Sequence, residues 1–201
     1  MSAVLKPTQY TAEAYLERER AALYKSDFHD GQIFAMTGAS REHNLITVNI
    51  TAALHQQLKN RPCEAYTNDM RVKASIAHSY HYPDIAVVCG GAQFEDGHFD
   101  TLTNPTVVIE VLSPSTEAYD RGGKFSNYRK IASLQEYLLV AQDQPYIERY
   151  VRQHENWLLT ETVGLDATLE LSSIACTLAL RDVYAKVLAE ADIAPENASL
   201  S

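Results

Sequence analysis

Two acidic residues lie within or beside apolar segments that are typical of buried strands. Glu110 interrupts the run Val107–Leu112, and Asp84 directly precedes the run Ile85–Cys89. A carboxylate is tolerated in such surroundings when it is paired with a cation or binds a metal. If the two strands are neighbours in a sheet, both carboxylates can converge on one Mg²⁺, which proteins hold through one or two carboxylates together with water and phosphate. The pair therefore predicts a metal site.

Lys124 is the candidate cation beside this pair. It follows Asp120 by four residues, about one helical turn, in a segment that predicts a helix directly after the strand of Glu110. A helix docked beside that strand can point the ammonium group at the metal. There it would orient an attacking water and offset the negative charge that develops on a phosphate undergoing hydrolysis.

Each of these residues also has a purely structural explanation, which the sequence leaves open. Asp84 could be a turn or cap residue. Glu110 could form a structural ion pair with Arg129 or Lys130, and Lys124 could be solvated on a basic helix face. The pair of carboxylates on two strands favours the metal site over these alternatives taken singly.

The elements that must position these residues follow a mixed order. Caps or helix-favouring composition predict helices over 11–23, 40–59, 120–131 and 180–190, with Thr11, Ser40 and Asp120 as the first three caps. Asp30-Gly31 predicts a tight β-hairpin, and further strands are predicted over 65–73, 85–89, 106–112, 136–142, 146–152, 157–163 and 168–171. Because helices and strands do not strictly alternate, we expect an α/β (α+β) fold with a central mixed sheet flanked by helices. We expect residues 1–190 to form one domain and 191–201 to form a flexible tail.

Composition limits the class of partner and the compartment. The chain has 201 residues, no apolar run near the roughly 18 residues of a membrane helix and no secretory signal, so we expect a cytoplasmic protein that does not bind membranes. Its net charge of −9 opposes a broad nucleic-acid surface, so any polyanion contact must be local and salt-sensitive. A homodimer would bring two basic segments to one duplex.

Cysteines and nucleotide motifs exclude other classes of site. The three cysteines, Cys63, Cys89 and Cys176, are odd in number and form no CxxC pair, so we expect reduced core residues rather than disulfides or a zinc site. The glycine-rich signatures of nucleoside triphosphate and dinucleotide binding do not occur in the sequence, which predicts no nucleotide cofactor.

Several motifs resemble those of one nuclease family. The segments "YPD" and "IEVLS" are similar to the active-site strands of the PD-(D/E)XK nuclease superfamily, although Leu112 stands where the lysine is usual. With "DGQIFAMTGASREHNLI", "VIEVLSPSTEAYDRGGKFSNYRKI" and "LQEYLLV", the chain resembles the Uma-type restriction endonuclease family within that superfamily over about residues 10–190. The resemblance implies a restriction-endonuclease-like core with an N-terminal helix and hairpin. It also implies a Mg²⁺-dependent endonuclease that hydrolyses DNA, with Mn²⁺ as a possible substitute.

The resemblance also implies a role for individual residues. Asp84, Glu110 and the main-chain carbonyl of Val111 would hold the metal, and Lys124 would replace the missing strand lysine and position the attacking water. The remaining site residues that it implies are Asp27, on the element before the hairpin, and His43, at the start of the second helix. Asp27 would hold a metal-bound water or a second ion. His43 would contact phosphate or the outer shell of the ion, unless it only forms a local hydrogen bond.

Two other functions stay open at this point. Leu112 at the usual lysine position is compatible with a non-catalytic nuclease-fold module that binds DNA or a protein. The two carboxylates are also compatible with a metal-free hydrolase that uses them as general acid and base, as in sugar cleavage. Retained activity in EDTA would favour the latter.

Overall fold

The computed structural model describes residues 9–36, 38–75 and 79–188. The tail expected over 191–201 lies outside the described residues. The helical elements are α1 (Ala12–Ala21), α2 (Arg41–Leu58), α3 (Glu117–Tyr119), a π-helical turn (Asp120–Lys124), α4 (Phe125–Tyr128) and α5 (Leu180–Val183). Within this part of the chain, no helix is both long and apolar enough to cross a membrane.

The strands form two large sheets and one small sheet. They are β1 (Ser26–His29), β2 (Gln32–Ala35), β3 (Cys63–Thr67), β4 (Arg71–Ser75), β5 (Ser79–His81), β6 (Ile85–Cys89), β7 (Thr101–Leu102), β8 (Val107–Val111), β9 (Glu136–Val140), β10 (Tyr146–Gln153), β11 (Asn156–Val163), β12 (Thr168–Leu171) and β13 (Cys176–Ala179). Among the described residues the sheet orders are β2-β1-β5-β4-β7, β11-β10-β9-β8-β6-β3 and β12-β13. Parallel pairs, β8 with β9 and β4 with β7, occur beside antiparallel ones. The expected mixed α+β fold is confirmed, with two large sheets in place of one.

Local sequence signals positioned the first elements as expected. Thr11 caps α1 by accepting a hydrogen bond from the backbone N–H of Ala14, and Ser40 caps α2 in the same way. Asp30 and Gly31 join β1 to β2 with φ angles of 47° and 79°. Positive φ at both central residues is the property of a type I′ turn, for which Asp-Gly is a favoured pair.

Three predicted elements differ from the structure. The helix expected over 180–190 ends, as α5, at Val183. The strand expected over 65–73 is two strands, β3 and β4, because Asn68-Asp69 forms a turn closed by a 2.9 Å hydrogen bond from Met70 N–H to the Thr67 carbonyl. Asp120 does not cap the following helix. Helical structure already begins at Glu117, which places Asp120 inside it.

Two apolar clusters cover the two faces of the six-stranded sheet. Helix α2 buries a stripe of apolar residues, with Ile50 and Leu54 at its centre, against the face of β8 that carries Ile109. Successive side chains of a strand point to opposite faces, so Glu110 faces away from α2. On that second face lies another apolar cluster, which includes Leu112 and Tyr128. Glu110 is therefore directed toward the helical segment that begins at Glu117.

The expectation that all cysteines are reduced is wrong for two of them. Cys63 and Cys89 form a disulfide, with their Cα atoms 4.1 Å apart, between the paired strands β3 and β6. The two residues are direct partners in the strand register, which the absence of a CxxC motif does not exclude. Cys176 is a free, buried cysteine, as expected.

We expect reduction of this disulfide to lower the free energy of unfolding by about 3 kcal/mol, because a cross-link across 26 residues restricts the unfolded chain. Urea unfolding with and without a reductant measures the difference. Cys176→Ala is the control that leaves the cross-link intact and should retain the response to reductant. Three titratable thiols in the denatured, unreduced protein would show that the disulfide is not formed.

Candidate functional site

The strands that carry the two predicted acids are hydrogen-bonded neighbours. Strands β6 and β8 pair antiparallel, with Ile85 opposite Ile109. Asp84 lies at the start of β6, and its Oδ2 accepts a 2.7 Å hydrogen bond from the backbone N–H of Val111. The register thus brings Asp84 to the end of β8 that carries Glu110.

Lys124 forms ion pairs with two buried acids. Its Nζ lies 3.2 Å from Glu110 Oε1 and 3.0 Å from Asp120 Oδ1. Glu110, Asp120 and Lys124 are only 3%, 2% and 7% exposed. Lys124 is therefore not a solvated surface lysine, and it takes the place beside Glu110 that the sequence left open for Arg129 or Lys130.

A π-helical turn presents Lys124 to the sheet. The turn spans Asp120–Lys124 between two short α-helical pieces. Gly123 is required in it, because a Cβ at that position would lie 2.4 Å from Cε2 of the Tyr119 ring. Of the glycine pair that weakens a regular helix in this sequence, Gly123 thus makes room for a ring. Such π turns occur frequently at functional sites.

Asp27 lies on the five-stranded sheet and faces the same cluster. Its Oδ2 is 3.1 Å from Nδ1 of the buried His81, and its Oδ1 accepts a hydrogen bond from Tyr82 N–H at 3.1 Å. Burial alone would raise the pKa of Asp27, but the hydrogen bond with His81 and the charge of Lys124 hold that pKa below its usual value. Burial lowers the pKa of His81, which favours a neutral ring that donates to Asp27.

The cluster has more negative than positive groups. Burial raises the pKa of Glu110 well above its usual value; Lys124 acts against this increase, whereas Asp120, Asp84 and Asp27 add to it. Burial alone would lower the pKa of Lys124, but Glu110, Asp27 and Asp120 hold that pKa well above its usual value. Three acids thus act on one ammonium group and Asp84 lies beside Glu110, a surplus of acidic groups that a divalent cation would offset.

The oxygen donors fit an ion held by a few protein ligands. The described contacts of Asp84 use Oδ2 and those of Glu110 use Oε1, so one oxygen of each carboxylate is left for a ligand. Leu112 N–H bonds to β9, so the neighbouring Val111 directs both its N–H and its carbonyl toward Asp84. Across the described part of the chain, no group of three or more His, Cys, Asp or Glu side chains is arranged to hold a metal ion by itself.

His43 has both of the contacts that the sequence left open. Its backbone N–H donates to the Ser40 cap at 3.0 Å, and its Nε2 lies 3.1 Å from Asp84 Oδ2. The structure therefore brings Asp84, Glu110, Val111 and Lys124 into direct contact, with His43 joined through Asp84. Asp27 joins the cluster through electrostatics, since its carboxylate acts on Glu110 and Lys124.

Sequence reasoning missed several polar side chains of this cluster. Asp120 is predicted as a cap one helical turn before Lys124, but its ion pair with the Lys124 ammonium is not predicted. Tyr128, four residues further, donates to Glu110 Oε1 at 3.3 Å. No sequence spacing links His81 to Asp27, yet the pairing of Phe28 with Tyr80 places the His81 ring beside the Asp27 carboxylate. His29, whose Nδ1 lies 3.1 Å from Asn127 Nδ2, gave no sequence signal at all.

Comparisons with known proteins agree on the family and the fold. A family model described as "Uma2: Putative restriction endonuclease" matches residues 12–181. Two uncharacterised proteins of Synechocystis sp. are 40% and 37% identical, over 81% and 86% of this chain and 92% and 90% of their own lengths. A crystal structure from Anabaena variabilis, described as "a putative nuclease belonging to DUF820", aligns with a TM-score of 0.73 at 19% identity, over 89% of this chain and 99% of that chain. That structure shares the fold, and the sequence matches establish that the chain belongs to the Uma2 family.

Proposed function

We propose that this chain is a metal-dependent endonuclease that hydrolyses DNA phosphodiester bonds. The observation that carries the proposal is the buried contact of Lys124 with Glu110 beside Asp84, within a surplus of carboxylates. A buried acid with a shifted pKa and a specific charged partner is typical of a functional site. The family description and the description of the structural neighbour both name nucleases.

Asp84, Glu110 and the carbonyl of Val111 would hold Mg²⁺ or Mn²⁺. A bound ion of this kind supplies a water of lowered pKa and polarises the scissile phosphate. The protein contributes the orientation of its ligands: the Val111 N–H and His43 fix one oxygen of Asp84, while Lys124 and Tyr128 contact one oxygen of Glu110. These contacts prevent the carboxylates from rotating away from the ion.

Lys124 would position the attacking water and stabilise the charge that develops on the phosphate. Asp120 acts as a positioning residue, since its ion pair holds the ammonium group beside Glu110. Leu112, at the usual lysine position, is packed in an apolar cluster. The helical segment thus places Lys124 beside Glu110, where a lysine at position 112 of the strand would usually lie.

Asp27 and His43 would act at the edge of the ion. Asp27 is fixed by His81 and Tyr82 N–H and would hold a metal-bound water or a second ion. His43 is half-buried and directed at Asp84, so it would contact phosphate or the outer shell of the ion. Asp27 lies on β1 and His43 lies on α2. Residues from β1, from α2 and from the β6–β8 pair would therefore enclose the site.

DNA binding by one chain should be weak and salt-sensitive. Arg121 is already paired with Glu117 and Glu148, whereas Arg129 and Lys130 are exposed beyond the site. A homodimer would double these basic groups along one duplex, against a net charge of −9 per chain. A monomer that binds DNA tightly at moderate salt would contradict this arrangement.

Plasmid cleavage tests the proposed activity. With Mg²⁺ or Mn²⁺ we expect nicking of supercoiled DNA that EDTA abolishes, and Asp84→Asn should reduce the rate at least about 100-fold, since it removes a charged ligand. Asp69→Asn, a change at an exposed aspartate in the turn after β3, is the matched control and should cleave normally. A folded wild-type protein that cleaves under none of these conditions would favour the binding module, and cleavage that persists in EDTA would favour the metal-free hydrolase.

A further inference from the structure

A pair of aromatic rings lies at the surface beside the site. Phe34, on the edge strand β2, is 46% exposed, and its ring centroid lies 6.5 Å from that of Tyr119 at an interplanar angle of 36°. Large aromatic side chains are usually buried, so an exposed ring next to a charged pocket indicates a contact surface. We call Phe34 and Tyr119 the aromatic pair.

The aromatic pair is continuous with the proposed catalytic cluster. Phe34 is the direct register partner of Asp27, and cross-strand partners point to the same face of a sheet. Tyr119 immediately precedes Asp120, and its ring lies 6.1 Å from that of His81. The rings therefore border the carboxylate cluster on the side of the five-stranded sheet.

Tyr119 is held in place before any ligand arrives. Its ring occupies the space that the missing Cβ of Gly123 leaves. Its hydroxyl is buried and has no hydrogen-bond partner among the described residues. A fixed ring is suited to a ligand that has a flat face, since little ordering is needed on binding.

The depth of the cluster limits the form of nucleic acid that can reach it. Glu110 and Lys124 are almost completely buried, so a phosphate must reach below the surface to contact them. A regular duplex holds both strands together and keeps its bases stacked inside. A strand whose base has left the stack can bring its backbone closer, and the freed base then needs a surface to cover its faces.

We propose that Phe34 and Tyr119 form a stacking platform for one unpaired base next to the scissile phosphate. The protein then prefers DNA with a bulged, mismatched or single-stranded nucleotide over fully paired duplex. This inference rests on the proposed nuclease function, from which it takes DNA as the ligand. Stacking also supplies affinity that needs no positive charge, which suits a chain of net charge −9.

Binding in EDTA tests the platform without cleavage. The probes are two hairpin oligonucleotides that each contain one 2-aminopurine. The two probes differ only in the pairing of that base, which is bulged in the first and paired in the second. We expect the wild type to bind the bulged probe more tightly and to quench its fluorescence. Phe34→Ala should raise the Kd of the bulged probe about tenfold and leave the paired probe within twofold, a size typical of one stacked base.

Two further variants make the test specific. Phe34→Trp retains a stacking ring and should retain the preference. Phe99→Ala removes a 66% exposed phenylalanine from the loop before β7, at the opposite edge of the five-stranded sheet, and should change neither Kd. Equal affinity of the wild type for the two probes, or an equal loss on both probes in Phe34→Ala, would overturn the platform.

Cleavage of the same probes with Mg²⁺ separates this inference from the proposed function. Cutting near the bulge at a higher rate than in the paired probe supports both. Cutting of both probes at one rate, with equal affinities, overturns the platform and leaves the nuclease. A bulge preference in binding without cleavage of either probe overturns the nuclease and leaves the platform as a property of a binding module.

Discussion

Glu110→Gln is expected to reduce cleavage about 1000-fold and, in the metal-free protein, to increase the free energy of unfolding at alkaline pH. The activity falls because the proposed metal loses a charged ligand. The stability rises because burial and three neighbouring carboxylates keep the pKa of Glu110 above its unfolded value. Glutamine has nearly the same shape and carries no charge that must be desolvated.

The sign of the pH dependence follows from that raised pKa. Between the unfolded pKa, near 4.5, and the higher folded pKa, the native state binds more protons than the unfolded state. The contribution of Glu110 to stability is therefore fully present below about pH 4.5 and is lost as the pH rises through the folded pKa. In EDTA the wild type and Glu110→Gln should have similar urea midpoints near pH 5, and the variant should have the higher urea midpoint near pH 8.

With Mg²⁺ present, the wild type should be more stable than Glu110→Gln. A ligand that binds only the native state stabilises it, so the thermal midpoint of the wild type should rise with Mg²⁺ and that of Glu110→Gln should not. Glu136→Gln is the control, because Glu136 is equally buried but contacts Arg149 and Ser173 instead of the cluster. An equal response of wild type and Glu110→Gln to Mg²⁺ would exclude Glu110 as a ligand.

Lys124→Met is expected to reduce cleavage by about 1000-fold and to lower the free energy of unfolding by about 3–5 kcal/mol. Its removal leaves Glu110 and Asp120 without the cation that compensates their burial. The loss of activity follows because no other cation of the described residues pairs with Glu110, so nothing replaces the ammonium beside the attacking water. Plasmid nicking and urea unfolding measure the two effects on the same samples.

Two additional variants separate catalysis from stability. Lys59→Met, at an exposed lysine directly after α2, should leave both properties unchanged. Combining Lys124→Met with Glu110→Gln should restore part of the lost stability but none of the activity, since one uncompensated carboxylate is removed. Wild-type cleavage rates in the folded Lys124→Met variant would show that the helix lysine does not position the water.

The parts of the site that the sequence could predict are those that depend on local information. A charge in an apolar strand is visible in five consecutive residues, which identified Glu110 and Asp84. The caps Thr11 and Ser40 and the turn at Asp30 depend on their immediate neighbours, and all three occur as expected. Local chemistry thus predicted Asp84, Glu110 and Lys124 as candidates, whereas Asp27 and His43 were implied by the family resemblance.

The parts that could not be predicted depend on how distant segments meet. The disulfide between Cys63 and Cys89 requires the register of β3 on β6, which no short motif encodes. The roles of His81 and Phe34 depend on the hairpin packing beside β5, because only that contact brings them to one sheet face. Asp120 became a partner of Lys124 because the helix begins at Glu117, upstream of the residue that most resembled a cap.

The π-helical turn determines the direction in which the side chains of α4 point around the helix axis. In a regular α-helix, residues eight positions apart differ in direction by about 80°. The π turn absorbs one residue, so Tyr128 follows Asp120 as though seven positions separated them, and the difference falls to about 20°. Asp120, Lys124 and the Tyr128 hydroxyl can then all face Glu110. Deleting one residue of the Gly122-Gly123 pair would rotate Tyr128 by about 100°, so the extra residue acts as an angular spacer that aligns a tyrosine with a lysine on one carboxylate.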